Sequence, residues 1–295
     1  MKRNWILIVF ALFAISALSA GNRYELEREY LIRNKSTSKE LKIKLTLPGL
    51  SPYVNSRILS ASFTPEPVRV EDIEPGVQKL HYDLNLQPGE SLPLKMLWTV
   101  ELEASEGTGQ AAALTDERRA QYLAPQKKIE SNHPEILALA TELRSAASED
   151  RQFVDAVYHA VKKRLKPQGF GTDNRGALYA LRQGRGDCTE YAALIVALAR
   201  AGGVPARINT AMSMQKDGTA HFDNHNNAEV YLNDRWLPVE PFFNINETGK
   251  LAATEIIMRI GLPSGPITWA SWSTANSMKP YKEVKLVGHR WRKLN

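Results

Sequence analysis

The sequence contains one cysteine, Cys188, among 295 residues. A single thiol excludes an intramolecular disulfide and any metal site built from several cysteine ligands. In an oxidising compartment, where cysteines are usually paired, a leftover thiol serves as a reactive group, an intermolecular bridge or a small buried side chain. The surroundings of Cys188 decide between these readings.

The sequence also lacks a strong excess of charge of one sign. Its 38 Lys and Arg residues against 32 Asp and Glu residues give a formal net charge of +6, and the basic residues are scattered. Nucleic-acid binding requires a concentrated basic surface, so we expect no nucleic-acid partner. The hydrophobic fraction of 43% predicts a globular chain, and its length favours about two domains. We expect neither a cofactor nor a resident metal ion.

Long hydrophobic runs are confined to the N-terminus. There a basic start, "MKRN", precedes the 14-residue apolar run "WILIVFALFAISAL" and small residues that suit cleavage after Ser19 or Ala20. The run is shorter than the roughly 20 residues that span a bilayer, and it predicts a signal peptide over residues 1–20. We expect an exported protein, periplasmic or secreted, with no stable membrane span after leader cleavage. Retention of the leader as an N-terminal anchor is the alternative.

Hydrophobic patterning divides the rest of the chain. Apolar residues alternate with polar ones from Tyr24 to about Ala104, with frequent Pro, Gly and Asn. This pattern predicts an all-β, β-sandwich-like domain over residues 21–104. Residues 105–127 show no clear period and indicate a linker with room for one short helix.

Helical spacing takes over beyond the linker. Apolar residues recur at helical intervals in "PEILALATELRSAA" and "DRQFVDAVYHAVKKRL", which begin at helix-start signals, Pro134 and Asp150. We therefore expect an α+β core over residues 128–250. Residues 251–295 are expected to form a C-terminal extension packed on this core, with a basic, solvated end.

The segment "GRGDCTEYAALIVALARAGGVPAR", residues 184–207, predicts a buried helix with Cys188 in its first turn. Asp187 can cap this helix and Glu190 can complete a capping box, while two glycines and Pro205 end it. Unpaired N–H groups and the positive end of the helix dipole favour an anion there, so the thiolate should be stabilised. The same N–H groups could donate to an oxyanion that develops beside the sulfur.

A thiol nucleophile needs a base, and a predicted hairpin selects it. The segment "HNNAEVYLNDRWLPVEP" predicts two strands that turn at Asn233 and Asp234. The facing pairs are then Leu232 and Arg235, Tyr231 and Trp236, Glu229 and Pro238, and His225 and Phe242. This register places Glu240 diagonal to His225 on the same face, within reach of a hydrogen bond. His221 lies farther from the turn, so we prefer His225 as the base.

Together these segments resemble the transglutaminase-like core of bacterial cysteine proteases. In that family a Gly-Asp-Cys turn opens a helix that ends in a Gly-Ile-Pro-Ala-Arg-like strand entry. A histidine then precedes a Glu-Val-Tyr-like strand, and an acid precedes a proline. The resemblance covers about residues 130–245 and implies a papain-like or transglutaminase-like α+β core. It implies Cys188 as the nucleophile, His225 as the base and Glu240 as the acid that orients the histidine.

Two positions depart from the family pattern. Glu240 stands where an aspartate is usual, and its additional methylene changes the distance at which the histidine is held. Asn227 stands where a tryptophan is common, so a polar residue replaces a hydrophobic wall beside the site. Asp187 flanks the site as the helix cap. Gln183, five residues before Cys188, could donate to the oxyanion, although a surface turn residue is the simpler interpretation.

The resemblance implies acyl transfer at amide bonds of a protein or peptide substrate through a Cys188 thioester. Water would resolve the thioester in a protease or amidase, and an amine would resolve it in a transglutaminase. We expect hydrolysis, because water is always present and no feature excludes it. The alternative is a catalytically diverged envelope protein that binds a partner or acts as a scaffold. The sequence leaves the oligomeric state open.

Overall fold

The computed structural model describes most of the chain beyond the predicted signal peptide. The described residues are 22–53, 56–74, 77–103, 105–106, 113–169, 174–214, 220–240, 242, 250–251, 255–260, 271–274 and 279–294. The predicted signal peptide over residues 1–20 lies outside them. Within these ranges, no helix is both long enough and apolar enough to cross a membrane.

The helices and strands follow one another in this order along the chain. The strands are β1 Asn22–Asn34, β2 Leu41–Gly49, β3 Ser56–Thr64, β4 Arg69–Glu74, β5 Val77–Leu86, β6 Ser91–Leu102, β7 Ser105–Glu106, β8 Lys166–Pro167, β9 Arg185–Gly186, β10 Ala206–Met214, β11 Ala220–Leu232, β12 Arg235–Val239, β13 Lys250–Leu251, β14 Glu255–Ile260, β15 Ser271–Thr274 and β16 Lys282–Leu294. The α-helices are α1 Asp116–Leu123, α2 Pro134–Ser145, α3 Asp150–Arg164, α4 Ala177–Gln183 and α5 Cys188–Ala201.

Strands β1 to β6 form a β-sandwich together with two strands from the C-terminal segment. The sheets are antiparallel and four-stranded, in the orders β16-β1-β6-β3 and β15-β2-β5-β4. Strict alternation along β1 and β2 turns every second side chain inward. The two inner faces share one core that includes Leu26, Ile32, Leu45, Tyr82 and Trp98. The β-rich start predicted from the alternation is therefore a sandwich, as expected.

The C-terminal segment contributes to both parts of the molecule. Strand β14 joins the core sheet beside β10, but β15 pairs with β2 and β16 pairs with β1. The end expected to be a solvated tail on the core is thus a strand of the sandwich. Its exposed basic side chains pair with acids of β1, Arg292 with Glu25 at 2.9 Å and Arg290 with Glu27 at 2.5 Å. The basic side chains mask the alternation that would have predicted a strand. The open edge of β1, with which β16 pairs, exists only in the folded sandwich.

The helices and a second four-stranded sheet enclose α5. This antiparallel sheet has the order β12-β11-β10-β14. Helix α5 is buried from Tyr191 to Ala199 and packs against α2, α3, α4 and the sheet. Ala206, Ala228 and Val230 line the sheet side of the same core. The chain therefore has the α+β core that its helical and alternating segments predict.

The observed helix starts agree with the local signals. Helices α2, α3 and α5 begin at Pro134, Asp150 and Cys188, the positions that the start signals predict. Helix α1 is the short helix within the predicted linker. Helix α4 has no counterpart among the predicted elements, since its seven residues cover barely two turns and show no clear period.

Trp291 tests whether β16 is a structural strand. Its ring packs edge-on against Tyr24, with ring centroids 6.5 Å apart, beside the sandwich core. Trp291→Ala should lower the free energy of unfolding by about 2 kcal/mol, because part of a large aromatic side chain leaves the core. Chemical denaturation measures this change, with Leu286→Ala at an exposed position of β16 as the control. Equal and negligible effects of both substitutions would mean that this segment behaves as a solvated tail.

Candidate active site

Cys188 is the first residue of α5, and its side chain is buried, with 2% exposed. Asp187 caps the helix, and its carboxylate accepts a hydrogen bond from the Thr189 N–H at 2.9 Å. The capping box is complete, because Asp187 also accepts from the backbone N–H of Glu190, whose carboxylate accepts from the Asp187 N–H at 3.1 Å. The Tyr191 N–H donates to the Asp187 carbonyl. The N–H groups of Thr189, Glu190 and Tyr191 therefore all donate to Asp187.

Two glycines shape the turn before Cys188. Gly184 ends α4 in the left-handed region, with φ of 62°. Gly186 lies so close to the helix that a Cβ there would fall 2.3 Å from the Cβ of Glu190. The backbone of Gly186 is also anchored, since its carbonyl accepts from the Gln168 N–H at 2.8 Å. The packing against Glu190 thus explains on steric grounds why position 186 is a glycine.

Glu190 is fully buried and is held by Arg175. The guanidinium donates to Glu190 Oε2 at 2.9 Å, and the Arg175 backbone N–H donates to Oε1 at 2.9 Å. The hydrogen bond to Glu190 raises the pKa of Arg175 above its ordinary value. Sequence reasoning missed Arg175, because no local pattern connects it to an acid 15 residues later. The arginine neutralises the charge on which the capping box depends.

The predicted hairpin forms with the predicted register. Asn233 and Asp234 make the turn with φ of 50° and 58°, and the β11–β12 ladder runs from this turn to Ala228 opposite Val239. The facing pairs are Leu232 and Arg235, Tyr231 and Trp236, and Glu229 and Pro238. Glu240 follows directly after β12.

His225 and Glu240 form a buried hydrogen-bonded pair. His225 Nε2 lies 2.6 Å from Glu240 Oε2, and the two residues are 0% and 2% exposed. The other oxygen, Glu240 Oε1, accepts from the Phe242 backbone N–H at 2.6 Å. The carboxylate is therefore oriented on both sides. Because Nε2 engages the acid, Nδ1 is the ring nitrogen that can act as a base.

Phe242 lies beyond the ladder and contacts both halves of the site. The predicted strand pairing of His225 with Phe242 does not occur, since β12 ends at Val239. Instead the Phe242 ring lies 6.0 Å from the His225 ring and meets Tyr191 of α5 edge-on at 5.3 Å. The Tyr191 hydroxyl donates to the Leu165 carbonyl at 2.7 Å, and burial raises its pKa to about 12. Tyr191 is thus a neutral packing residue.

A hydrogen bond ties the start of α5 to the histidine strand. Asn226, which follows His225, donates from Nδ2 to the hydroxyl of Thr189, which follows Cys188, at 2.9 Å. The Thr210 hydroxyl of β10 donates to Asn226 Oδ1 at 2.7 Å. Helix α5, which carries the predicted nucleophile, is therefore hydrogen-bonded to β11, which carries the predicted base, through the residues that directly follow Cys188 and His225.

The other predicted residues differ in their surroundings. Asn227 is buried, 1% exposed, and faces Asn209 of β10 across the ladder. Gln183 is the last residue of α4 and is exposed, unlike Cys188 and the His225 pair. The side chain of His221, the less favoured base, lies outside the described residues. Over the part of the chain that is described, no group of three or more His, Cys, Asp or Glu side chains could hold a metal ion.

Gly186 provides a test of the turn. Gly186→Ala should lower the free energy of unfolding by about 1 to 3 kcal/mol, because the new Cβ collides with the Cβ of buried Glu190. Gly169→Ala is the matched control, since a Cβ there meets nothing within 4 Å. Thermal or chemical denaturation compares the two variants. If Gly186→Ala is as stable as Gly169→Ala, the close packing of the turn on Glu190 is refuted.

Comparison with known proteins extends this description. Residues 137–241, which include Cys188, His225 and Glu240, match the sequence profile of the transglutaminase-like superfamily. A comparison with curated protein sequences gave no significant match.

Similar folds are found among solved structures. A candidate cysteine protease from Cytophaga hutchinsonii is 15% identical, with a TM-score of 0.61 over 94% of this chain and 99% of that chain. The periplasmic domain of TgpA from Pseudomonas aeruginosa is 16% identical, with a TM-score of 0.43 over 77% of this chain and 89% of that one. The first likeness shows that the fold of sandwich and core recurs as a unit. Residues 137–241 are thus the part of this chain that is similar to the transglutaminase-like superfamily.

Proposed function

We propose that this chain is an exported cysteine enzyme that transfers acyl groups at amide bonds of proteins or peptides. Cys188 is the nucleophile, His225 the general base and acid, and Glu240 the acid that orients the histidine. The observation that carries the proposal is the buried hydrogen bond of 2.6 Å between His225 Nε2 and Glu240 Oε2. A buried imidazole fixed by a carboxylate is the arrangement that activates a nearby thiol.

Proximity of the thiol to this pair is supported by the hydrogen bond between Thr189 and Asn226. Thr189 directly follows Cys188 and Asn226 directly follows His225, and Asn226 Nδ2 lies 2.9 Å from the Thr189 hydroxyl oxygen. Burial of all three proposed catalytic side chains supports the proposal further, since charges act strongly where water is excluded.

The first step forms the thioester. Glu240 holds the proton on Nε2, so Nδ1 of His225 accepts the Cys188 thiol proton. The thiolate sulfur bonds to the substrate carbonyl carbon, whose π-electrons move to the oxygen. The Cys188 backbone N–H, at the start of α5, donates to this oxyanion. The tetrahedral intermediate collapses, the carbon–nitrogen bond breaks, and His225 returns the proton to the leaving amine.

The second step resolves the thioester. Water gives its proton to His225 while its oxygen attacks the carbonyl carbon. The carbon–sulfur bond then breaks and His225 returns the proton to the departing sulfur, which releases a carboxylic acid and the thiol. An amine in place of water would produce a new amide by the same proton transfers. We favour hydrolysis, and therefore a protease or amidase, because water is always available to the intermediate.

Glu240 can replace the aspartate usual in this family. A glutamate has one more methylene, and the additional freedom would ordinarily loosen the histidine. Here the Phe242 N–H binds the second carboxylate oxygen at 2.6 Å, which limits that freedom. The longer side chain is therefore compatible with an oriented base.

The predicted leader supports action outside the cytoplasm, in the periplasm or beyond the cell, on envelope proteins or peptides. A catalytically diverged binding or scaffold protein is the second candidate. The observation that favours it is Asn227, a buried polar residue beside the site where the family commonly has a tryptophan.

Thiol reactivity distinguishes the two candidates. At pH 6, iodoacetamide should label Cys188 faster in the native protein than in the urea-unfolded protein, because only the native thiol is activated. His225→Ala should slow labelling of the native protein by on the order of 100-fold, the effect of losing a positioned general base. His159→Ala, at an exposed histidine of α3, is the matched control. Native labelling no faster than that of the unfolded protein, and equal in all variants, would favour the scaffold.

The acceptor of the acyl group is tested with envelope extract. Incubation with the wild-type protein should produce new N-termini that are absent with Cys188→Ala, because hydrolysis releases the amine side of the cleaved bond. Mass spectrometry of labelled N-termini detects them. A fluorescent primary amine added to the extract reports the competing reaction. Incorporation of this amine without new N-termini would identify a transglutaminase instead.

A further inference from the structure

A second buried ion pair lies on the histidine strand, outside the proposed catalytic residues. Glu229 is four residues beyond His225 on β11, on the same face of the strand, and is fully buried. Its Oε2 accepts from Arg207 Nε at 2.8 Å, and Arg207 faces it directly across the ladder from β10. The guanidinium also lies over the Trp236 ring, 3.9 Å from its centroid.

The remaining oxygen of this carboxylate is bound from the other domain. The Tyr53 hydroxyl, from the segment between β2 and β3 of the sandwich, donates to Glu229 Oε1. Tyr53 is itself buried, and its backbone is held by two hydrogen bonds of 3.0 Å with Ser56. The sandwich therefore supplies one of the groups that satisfy a charge buried in the core sheet.

The protonation of Tyr53 suits this role. Burial, followed by the charge of Glu229, raises the pKa of Tyr53 well above its ordinary value. The hydroxyl therefore keeps its proton at pH values at which an exposed tyrosine would ionise, and it donates to the carboxylate there.

A buried carboxylate that loses one of its donors must find another or move toward water. Strand β11 carries both Glu229 and His225, so a displacement of Glu229 is transmitted along the strand to the His225–Glu240 pair. Reactions of this kind are sensitive to small errors, since a misplacement of about 1 Å can cost 100-fold in rate.

We propose that Tyr53 is a positioning residue for the histidine strand, so that the β-sandwich is a working part of the catalytic unit. This inference rests on the proposed function for its catalytic consequence. The coupling between the sandwich and β11 stands on the contacts alone.

Tyr53→Phe tests the proposal, because it removes the hydroxyl and leaves the ring. Tyr82→Phe is the matched control, since Tyr82 lies buried in the same sandwich and its hydroxyl has no hydrogen-bond partner among the described residues. Both measurements use the full-length protein well below its unfolding temperature. Amide hydrogen exchange compares peptides from β11 with peptides from α2, and iodoacetamide labelling at pH 6 reports the reactivity of Cys188.

Tyr53→Phe should speed exchange in β11 by about tenfold, the loss expected when a charged group loses one hydrogen bond, and leave α2 unchanged. Labelling of Cys188 should slow by about tenfold for the same reason. Tyr82→Phe should change neither measurement.

Unchanged exchange in β11 of Tyr53→Phe, or an equal change in Tyr82→Phe, would overturn the coupling. Faster exchange with unchanged labelling, in a protein whose wild type labels rapidly, would overturn the positioning role and leave the proposed function standing. If the wild-type thiol has no enhanced reactivity, the proposed function fails and the catalytic part of this inference fails with it. The exchange measurement then still decides whether Tyr53 couples the sandwich to the core.

Discussion

Burial of the start of α5 is the constraint on which the candidate site depends. A helix that begins inside a protein must find acceptors for its first N–H groups, because water cannot reach them. Asp187 supplies those acceptors, and Glu190 returns the bond to close the capping box. Glu190 is in turn neutralised by Arg175 and leaves no room for a Cβ at Gly186. One buried carboxylate thus holds the turn before the helix, and Cys188 is held with it.

The second half of the site comes from a hairpin whose geometry is set by its own turn. Two residues with positive φ join β11 to β12, and the ladder leads to the place where His225 and Glu240 meet. The hydrogen bond between Thr189 and Asn226 fastens this hairpin to the helix. The sandwich is not separate from this arrangement, because β15 and β16 return to it after β14 has joined the core sheet. The chain therefore passes from the sandwich to the core and back to the sandwich.

Features that are set by residues close together in the chain could be predicted from the sequence, and contacts between residues far apart could not. The capping box spans four residues and the turn two, so both could be predicted, and counting from the turn was enough to pair His225 with Glu240. The other stabilising contacts join residues far apart: Arg175 with Glu190 at 15, Asn226 with Thr189 at 37 and Tyr53 with Glu229 at 176. No local period or turn residue signals such pairs.

By itself, the sequence determined where α2, α3 and α5 start, that one thiol stands at the head of an apolar helix, and which acid a histidine can reach within a hairpin. These are consequences of periodicity and turn chemistry, which act between near neighbours. Only the tertiary structure decided that the basic end of the chain is β16 and that the His225 pair is buried. It also decided which distant groups satisfy the buried charges of Glu190 and Glu229. Open sheet edges and buried acceptors form only when the layers of the protein pack together. Their hydrogen-bond partners are then supplied by whichever segment lies nearest in space.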